Sequence, residues 1–161
     1  MPKTNREGIE MTEQVKTTSL EEMKNLAVPV VAIPAWDGES EINVRLKRVS
    51  LMSLIQAGQL PNELLAIAYK TMGRAKGEES PAEENDPEHM QKFTMLMHEV
   101  AKHALVEPTY DEIVEHAAPL TDQQLLAIFM YCMSGVNALK SFRTAARTLA
   151  AIGDSGEDVR G

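Results

Sequence analysis

Aromatic residues, cysteine and positive charge are all in short supply in this sequence. Aromatic residues make up only 4% of its 161 residues, so any hydrophobic core must be built from aliphatic side chains and from ten Met residues. The single cysteine, Cys132, excludes an intramolecular disulfide and a zinc site made of several thiolates. A formal net charge of -8 argues against broad electrostatic binding to nucleic acid or to anionic membranes.

Long hydrophobic runs are also missing. No apolar stretch approaches the roughly 20 residues that a membrane-spanning helix needs. The first residues, MPKTNREGIEMTEQ, lack the apolar segment of a signal peptide. We therefore expect a soluble protein of the cytoplasm that binds neither membranes nor nucleic acid. The length favours one domain, with a disordered arm over 1–18, a mostly helical domain over 19–152 and a flexible tail over 153–161.

Motifs that carry catalysis or bind metal are absent as well. A Gly-rich phosphate loop and a Gly-x-Ser-x-Gly nucleophile elbow do not occur. The stretch HEVAKH is similar to a zinc-protease motif, but its two histidines, His98 and His103, lie about 140° apart around a helix, which prevents joint chelation. Cys132 falls on the apolar face of a predicted helix, where a thiol acts as a small hydrophobe. We therefore expect no enzymatic activity, no metal site and no cofactor.

The segment VVAIPAWDGESEINVRLKRV predicts a β-hairpin over residues 29–48. Apolar and polar residues alternate over 42–47, the period of a half-buried strand, and Asp37-Gly38 is a strong turn signal. A two-residue loop pairs Ile33 with Ile42, whereas a four-residue loop pairs Ile33 with Val44. Either register places the apolar residues on one face.

The first strand of this hairpin contains Pro29 and Pro34, which cannot donate to a ladder, so it should lie at a sheet edge. A lone hairpin is marginally stable in water. It must therefore pack on helices or borrow strands from another chain. An exposed edge also favours ring or dimer formation, that is, a homo-oligomer.

The stretch LMSLIQAGQLPNELL ends one helix and starts another within a few residues. Ser50 is a good N-cap for the first helix, and Gly58 can take the left-handed conformation that ends it. Pro61 suits the first turn of the next helix, or Asn62 caps that helix. The sequence thus predicts a corner between two short helices, built by Gly58, Pro61 and Asn62.

Further helices are predicted on both sides of the corner. SLEEMKNLA opens with a capping box and predicts a short helix over about 20–26. The helix after the corner should end at Gly73, and a flexible acidic loop should span 74–87. Asp86-Pro87 then caps the next helix.

Two capping boxes open the helices of the C-terminal half, in TYDEIVEHA and in LTDQQLLAIFMYCM. The broad apolar cover of the second segment predicts the most buried helix. Ser134-Gly135 either bends this helix or ends it before a last one. The fold class is therefore mainly α, a helical bundle of about five to six helices with a small N-terminal β-hairpin.

Several short motifs follow one another in a fixed order between residues 29 and 143. A strand ending in basic residues leads into Ser-Leu (Arg45 to Leu51), and a small-Gly-x-apolar-Pro-Asn segment follows (Ala57 to Asn62). Val106 to Tyr110 reads Val-Glu-Pro-Thr-Tyr, and Leu120 to Leu125 reads Leu-Thr-Asp-x-Gln-Leu. The closing element is Gly135, Leu139, Phe142 and Arg143. This series resembles the tail assembly chaperones of long-tailed (siphovirus-type) bacteriophages.

The resemblance implies a chaperone of the host cell cytoplasm that is absent from the mature virion. Such a protein binds the long, helical tape measure protein, keeps it soluble and helps to recruit tail tube protein. Because Met-rich apolar surface repacks easily around a partner, we expect the partner contacts among the apolar helical stripes. The candidate partner-binding residues are Met52, Leu54, Ile55, Leu64, Leu65, Met72, Met97, Phe129, Met133, Phe142 and Arg143.

Two groups of basic residues remain. They are Arg45, Lys47 and Arg48 beside the second strand, and Lys140, Arg143 and Arg147 on one face of the last helix. We interpret both as solvated faces or ion pairs, because nucleic-acid binding calls for a basic domain. The alternative to a chaperone is a structural virion protein of the tail or of the head-tail connector.

Overall fold

The computed structural model describes residues 14–75, 86–137, 139, 140 and 144. The elements in chain order are α1 (Leu20–Ala27), β1 (Val30–Pro34), β2 (Glu41–Leu46), α2 (Leu51–Gln56), a 3-10 helix (Asn62–Leu64), α3 (Leu65–Ala75), α4 (Pro87–Ala104), β3 (Leu105–Glu107), α5 (Tyr110–His116) and α6 (Asp122–Ser134). Helices dominate, so the prediction of a mainly α protein is confirmed.

The sheet differs from the predicted N-terminal hairpin in two ways. It follows helix α1, and it has a third strand, β3, in the antiparallel order β1-β2-β3. Leu105 pairs with Leu46 and Glu107 pairs with Arg45, with a bulge between the two pairs. The sequence analysis missed β3 because three residues are too short for a period of two to be recognised.

The hairpin itself has the register of the two-residue loop. Ile33 pairs with Ile42, and Val31 pairs with Val44. The apolar residues share one face, as predicted, and Val31, Ile33, Val44 and Leu46 are all buried. The carboxylate of Asp37 accepts hydrogen bonds from the amides of Glu39 and Ser40, at 3.0 and 2.8 Å, and so fixes the loop.

β1 lies at the sheet edge, as its prolines predict, but helix α6 covers part of that edge. The side-chain amide of Gln124 donates to the carbonyl of Pro34 over 3.0 Å. The oxygen of the same amide accepts from the backbone N–H of Thr121 at 2.9 Å, which completes the capping box of α6. Gln124 is fully buried, so its two bonds join the start of α6 to the hairpin.

The core lies between the inner face of the sheet and the paired helices α4 and α6. α6 buries seven of its 13 residues, against five of 18 in α4, which confirms that it is the most buried helix. The rings of Phe93 and Phe129 meet edge to face, with 5.4 Å between their centres. Such pairs add about 1 kcal/mol to the effect of burial.

Most predicted helix ends are confirmed. Capping boxes are formed at Ser19, Thr109 and Thr121, and Asp86 caps α4 with Pro87 at its first position. Gly135, with φ of 81°, ends α6 rather than bending it. One boundary is wrong: α3 continues through Gly73 to Ala75, since glycine within a helix is a weak breaker.

Parts of the predicted arm, loop and tail fall outside the described residues. These parts are residues 1–13 of the arm, residues 76–85 of the acidic loop and the whole tail over 153–161. Within the predicted arm, residues 14–18 are exposed and carry no regular secondary structure. Of the last predicted helix, residues 136, 137, 139, 140 and 144 are described, and they are helical.

Candidate functional site

The predicted corner between α2 and α3 is present. Gly58 has φ of 67°, and its N–H donates to the carbonyl of Ile55 at 3.0 Å. The N–H of Gln59 donates to the carbonyl of Leu54 at 2.9 Å. These two bonds form a Schellman motif, which requires a residue in the left-handed region. Leu60 is buried just after it, so the corner is anchored in the core.

The next helical turn begins with the other two residues predicted for this corner. Pro61 is the N-cap residue, before the first turn of the 3-10 helix, and Asn62 is the first residue of that helix rather than its cap, so neither of the two predicted roles is confirmed. Leu64 at the end of that turn is fully buried. The segment between α2 and α3 is therefore held in the core by two buried leucines, Leu60 and Leu64.

Most of the predicted partner-binding residues help to form the core. The buried ones are Leu54, Leu64, Met97 and Phe129, and the half-buried ones are Ile55, Leu65, Met72 and Met133. Met52 is 42% exposed, while Phe142 and Arg143 lie outside the described residues. A side chain inside the core cannot meet a partner while the fold stays intact, so the four buried residues do not form part of an exposed surface.

What remains is a set of exposed and half-buried apolar side chains on the two helices of the corner. It consists of Met52 and Ile55 on α2 and of Leu65, Tyr69 and Met72 on α3, and we call it the corner surface. Leu65, Tyr69 and Met72 follow each other at helical spacing, i, i+4 and i+7. Tyr69 is 52% exposed. Tyr69 was not among the predicted partner-binding residues.

A second apolar surface lies between the hairpin and α5. It is an open groove with a volume of about 470 Å³, which we call the hairpin groove. Its apolar lining consists of Trp36, Ile42, Val44, Pro108, Ile113 and Ala117, and its polar lining of Asn43, Glu112 and His116. The sequence analysis did not find it, because the two walls are more than 60 residues apart in the chain.

The groove lies beside the part of β2 that is not paired with β3. The β2–β3 ladder ends at Arg45 and Glu107. Ser40, just before β2, accepts from the N–H of Ala35, and Leu46 donates to the carbonyl of Pro29. The alternation of an antiparallel ladder therefore turns the N–H and C=O of Asn43 towards the β3 side. On the β3 side, no strand residue of the described chain pairs with Asn43, whose partner Ala32 lies in β1. One wall of the groove is therefore an uncovered strand edge.

Two side chains, those of Trp36 and Arg48, form long-range hydrogen bonds to the backbone at the two ends of α6. The indole N–H of Trp36 donates to the carbonyl of Pro119 at 2.9 Å, which ties the hairpin loop to the segment before α6. At the other end of α6, Arg48 donates to the carbonyls of Cys132 and Met133 at 3.3 and 3.2 Å. A guanidinium there satisfies the last carbonyls of the helix and complements its dipole.

The basic groups are thus partly explained. Arg45 forms an ion pair with Glu107 at 3.3 Å and donates to the carbonyl of Val28 at 3.2 Å, which confirms the expectation of an ion pair at that strand. Lys140 is exposed. Arg143 and Arg147 lie outside the described residues.

Helix α1 is the third notable surface. Its capping box is complete, yet none of its side chains is buried. Leu20, Met23 and Leu26 are 77%, 49% and 74% exposed, and Val15 just before the helix is 97% exposed. An apolar stripe of this kind has no contact surface within the described chain.

The titratable groups in the interior are poor candidates for chemistry. Burial raises the pKa of the Cys132 thiol, so the thiol stays protonated at neutral pH and is a weak nucleophile. Burial also raises the pKa of Tyr131. Among the described residues, no three His, Cys, Asp or Glu side chains are grouped so that they could hold a metal ion.

One histidine has a defined partner. Nδ1 of His98 lies 2.8 Å from the hydroxyl of Tyr110 at the start of α5, and the ammonium of Lys102 lies 5.8 Å from the centre of the Tyr110 ring. Burial and the positive charge of Lys102 lower the pKa of His98, and Asp122 and Glu99 oppose them weakly. The contact between His98 and Tyr110 therefore links α4 to α5.

Comparisons of the chain with protein-family models, with curated proteins and with solved structures found no match. Each helix within the described ranges is too short or too polar to cross a membrane.

Proposed function

We propose that this chain is a tail assembly chaperone of a long-tailed bacteriophage. It binds the tape measure protein in the host cytoplasm, keeps it soluble and helps to recruit tail tube subunits. The corner surface is the contact for the tape measure protein. It combines adaptable methionines with aliphatic and aromatic area on a rigid frame, and such surfaces suit the apolar face of a helix.

The observation that carries the proposal is the position of the motif residues in the fold. The Ala57 to Asn62 segment forms the Schellman corner and so supports the corner surface. Arg48 caps α6, Thr109 caps α5, and Leu120 to Leu125 holds the capping box and Gln124. A series of motifs that supports one frame is expected when sequences share a fold.

The charge of the chain supports the same role. A chaperone must stay in solution while it covers apolar segments of another protein. A net charge of -8 opposes self-aggregation. The tape measure protein is a long chain that exposes apolar helical faces before the tail tube encloses it. A contact protein for such faces requires surface rather than a catalytic pocket.

Co-expression with the tape measure protein from the same genome tests the proposal. The wild-type chain should increase the soluble fraction of the tape measure protein, and the double variant Met52→Glu/Tyr69→Glu should not. Both positions are exposed, so the fold is kept. Met90→Glu on α4, where Met90 is 55% exposed, is the matched control and should act like wild type.

Two outcomes would contradict the proposal. One is a tape measure protein that is equally insoluble with and without the chain. The other is the presence of the chain in purified particles at the stoichiometry of a tail or connector component, as measured by mass spectrometry. That second result would favour a structural virion protein.

A further inference from the structure

We propose that residues Gln14–Ala27 of one copy dock in the hairpin groove of a neighbouring copy. These residues, the α1 arm, comprise an exposed segment and helix α1. The inference concerns the assembly of the chain with itself, through surfaces other than the corner surface, and it does not depend on the proposed function.

The α1 arm needs a partner surface to be stable. Isolated helices shorter than about 12–15 residues are marginal in water, and α1 has eight residues with no buried side chain. Its apolar residues Leu20, Met23 and Leu26 recur on one side at a spacing of three. Tertiary packing of such a stripe is what normally stabilises a short helix. The described chain provides no such packing for α1.

The hairpin groove has the complementary properties. Its apolar lining, from Trp36 on one wall to Ala117 on the other, is open to solvent. The uncovered edge at Asn43 offers backbone groups to an extended segment, and residues 14–18 precede α1 without regular structure. An arm that places its apolar stripe in the groove removes both exposed surfaces from water.

Charge favours the arm over most other segments of this acidic chain. Glu112 lines the groove, where its carboxylate accepts from the N–H of Thr109 at 2.8 Å, and Glu115 on the same helix is exposed. The arm carries Lys16 and Lys24 against two glutamates, so its formal charge is zero in a chain of net charge -8. Of the two glutamates, Glu22 is occupied by the capping box with Ser19, at 2.9 Å. The lysines are therefore available to face the acidic rim.

The groove in question belongs to another copy. Arg45 holds the carbonyl of Val28, directly after α1, at 3.2 Å, and no residue of the arm lines the groove of its own chain. A contact between an arm on one copy and a groove on the next joins two different surfaces. Such head-to-tail contacts build rings or open chains.

Sedimentation equilibrium of the purified full chain tests this arrangement, over about a hundredfold range of concentration. The wild-type mass should rise to about twice that of a single chain or more. Leu20→Glu/Met23→Glu in the arm and Ala117→Arg in the groove should each give the mass of a single chain. Val114→Arg is the matched control, because Val114 is exposed on α5 outside the groove, and it should assemble like wild type.

A mixture of the two defective variants separates this arrangement from others. The groove of the arm variant is intact, and so is the arm of the groove variant, so equimolar mixing should produce a dimer of one chain of each. That dimer cannot grow, since its remaining arm and groove are both blocked. Circular dichroism melting of each variant checks that the fold is retained.

Three results would overturn the inference. The first is a wild-type chain that stays monomeric over the whole concentration range. The second is a folded Ala117→Arg variant that assembles as wild type does, which would place the arm elsewhere. The third is a mixture of the two variants that remains monomeric, which would show that an intact arm and an intact groove do not bind each other.

Discussion

Helices α1 and α6 begin with the same capping motif but differ in how deeply they are buried. Each has a capping box, Ser19 with Glu22 in α1 and Thr121 with Gln124 in α6. Yet α1 buries no side chain, while α6 is the most buried helix of the described chain. A cap therefore decides where a helix begins but not what it packs against.

The two boxes also differ in the residue at position N3. Glu22 has two acceptor oxygens, and both of its bonds go to Ser19. Gln124 has an acceptor for the cap and also an N–H group, which reaches Pro34 on the neighbouring strand. One additional donor converts a local cap into a tertiary link between α6 and the hairpin.

Gln124→Glu breaks this link most directly, and it should have the largest effect on the free energy of unfolding. It keeps the acceptor for Thr121 but removes the donor and places a carboxylate in the core beside the carbonyl of Pro34. Leaving buried groups unpaired, one of them charged, should lower the free energy of unfolding by about 3 kcal/mol or more.

Chemical denaturation measures this loss, and the control is the reverse exchange in α1. Glu22→Gln keeps the cap geometry at an exposed site and should change the free energy of unfolding by less than about 0.5 kcal/mol. Equal effects of the two substitutions would contradict the distinction between a local cap and a tertiary link.

Gly58→Val tests the backbone conformation that supports the corner surface. It should have the next largest effect on the free energy of unfolding. No atom lies within 4 Å of the position that a Cβ would take, so the expected loss comes from the backbone alone. A β-branched residue at φ of 67° should cost about 1–2 kcal/mol. An unchanged melting temperature would contradict this geometry.

Arg48→Ala examines the other end of α6. Removing the guanidinium leaves the carbonyls of Cys132 and Met133 to water, and the expected loss is about 1 kcal/mol because the site is partly exposed. Lys47→Ala, at an exposed neighbouring residue, should have no measurable effect. A smaller melting-temperature change in Arg48→Ala than in Lys47→Ala would rule out the capping role.

The smallest expected effect is the contribution of His98 to the pH dependence of the free energy of unfolding. Its pKa is lowered in the folded chain, so folding favours the neutral ring. The contribution is fully present above the ordinary histidine pKa of 6.5, and it is lost as pH falls through the range below that value.

The loss should appear as a difference between wild type and His98→Gln, since other groups titrate in both. The stability of wild type relative to the variant should fall between about pH 7.5 and about pH 5. Denaturation midpoints at the two values measure it. A difference that stays constant, or that grows towards low pH, would contradict the proposed environment of His98.

Local signals in the sequence were sufficient to predict many of the helix ends and turns. Capping boxes, Asp86-Pro87 and Gly58 each act within a few residues, and each was found where the pattern indicated. The shared apolar face of the hairpin also follows from a period of two, which left two registers open. Such features depend on neighbouring residues, so tertiary context leaves them unchanged.

Features that depend on distant residues were beyond the sequence. The bond from Trp36 to Pro119 and the capping of α6 by Arg48 join residues more than 80 positions apart. A buried Met97 and an exposed Met52 cannot be distinguished by helical spacing alone, which is why the predicted contact set mixed core and surface. The hairpin groove has no local signal for the same reason.

The most direct measurement of the central claim is co-purification of the tape measure protein with this chain from cells that make both. We expect the tape measure protein to elute with the wild-type chain and with Met90→Glu, and to be lost with Met52→Glu/Tyr69→Glu. Elution without any tape measure protein from a folded, wild-type chain would contradict the claim that this protein works by contact with it.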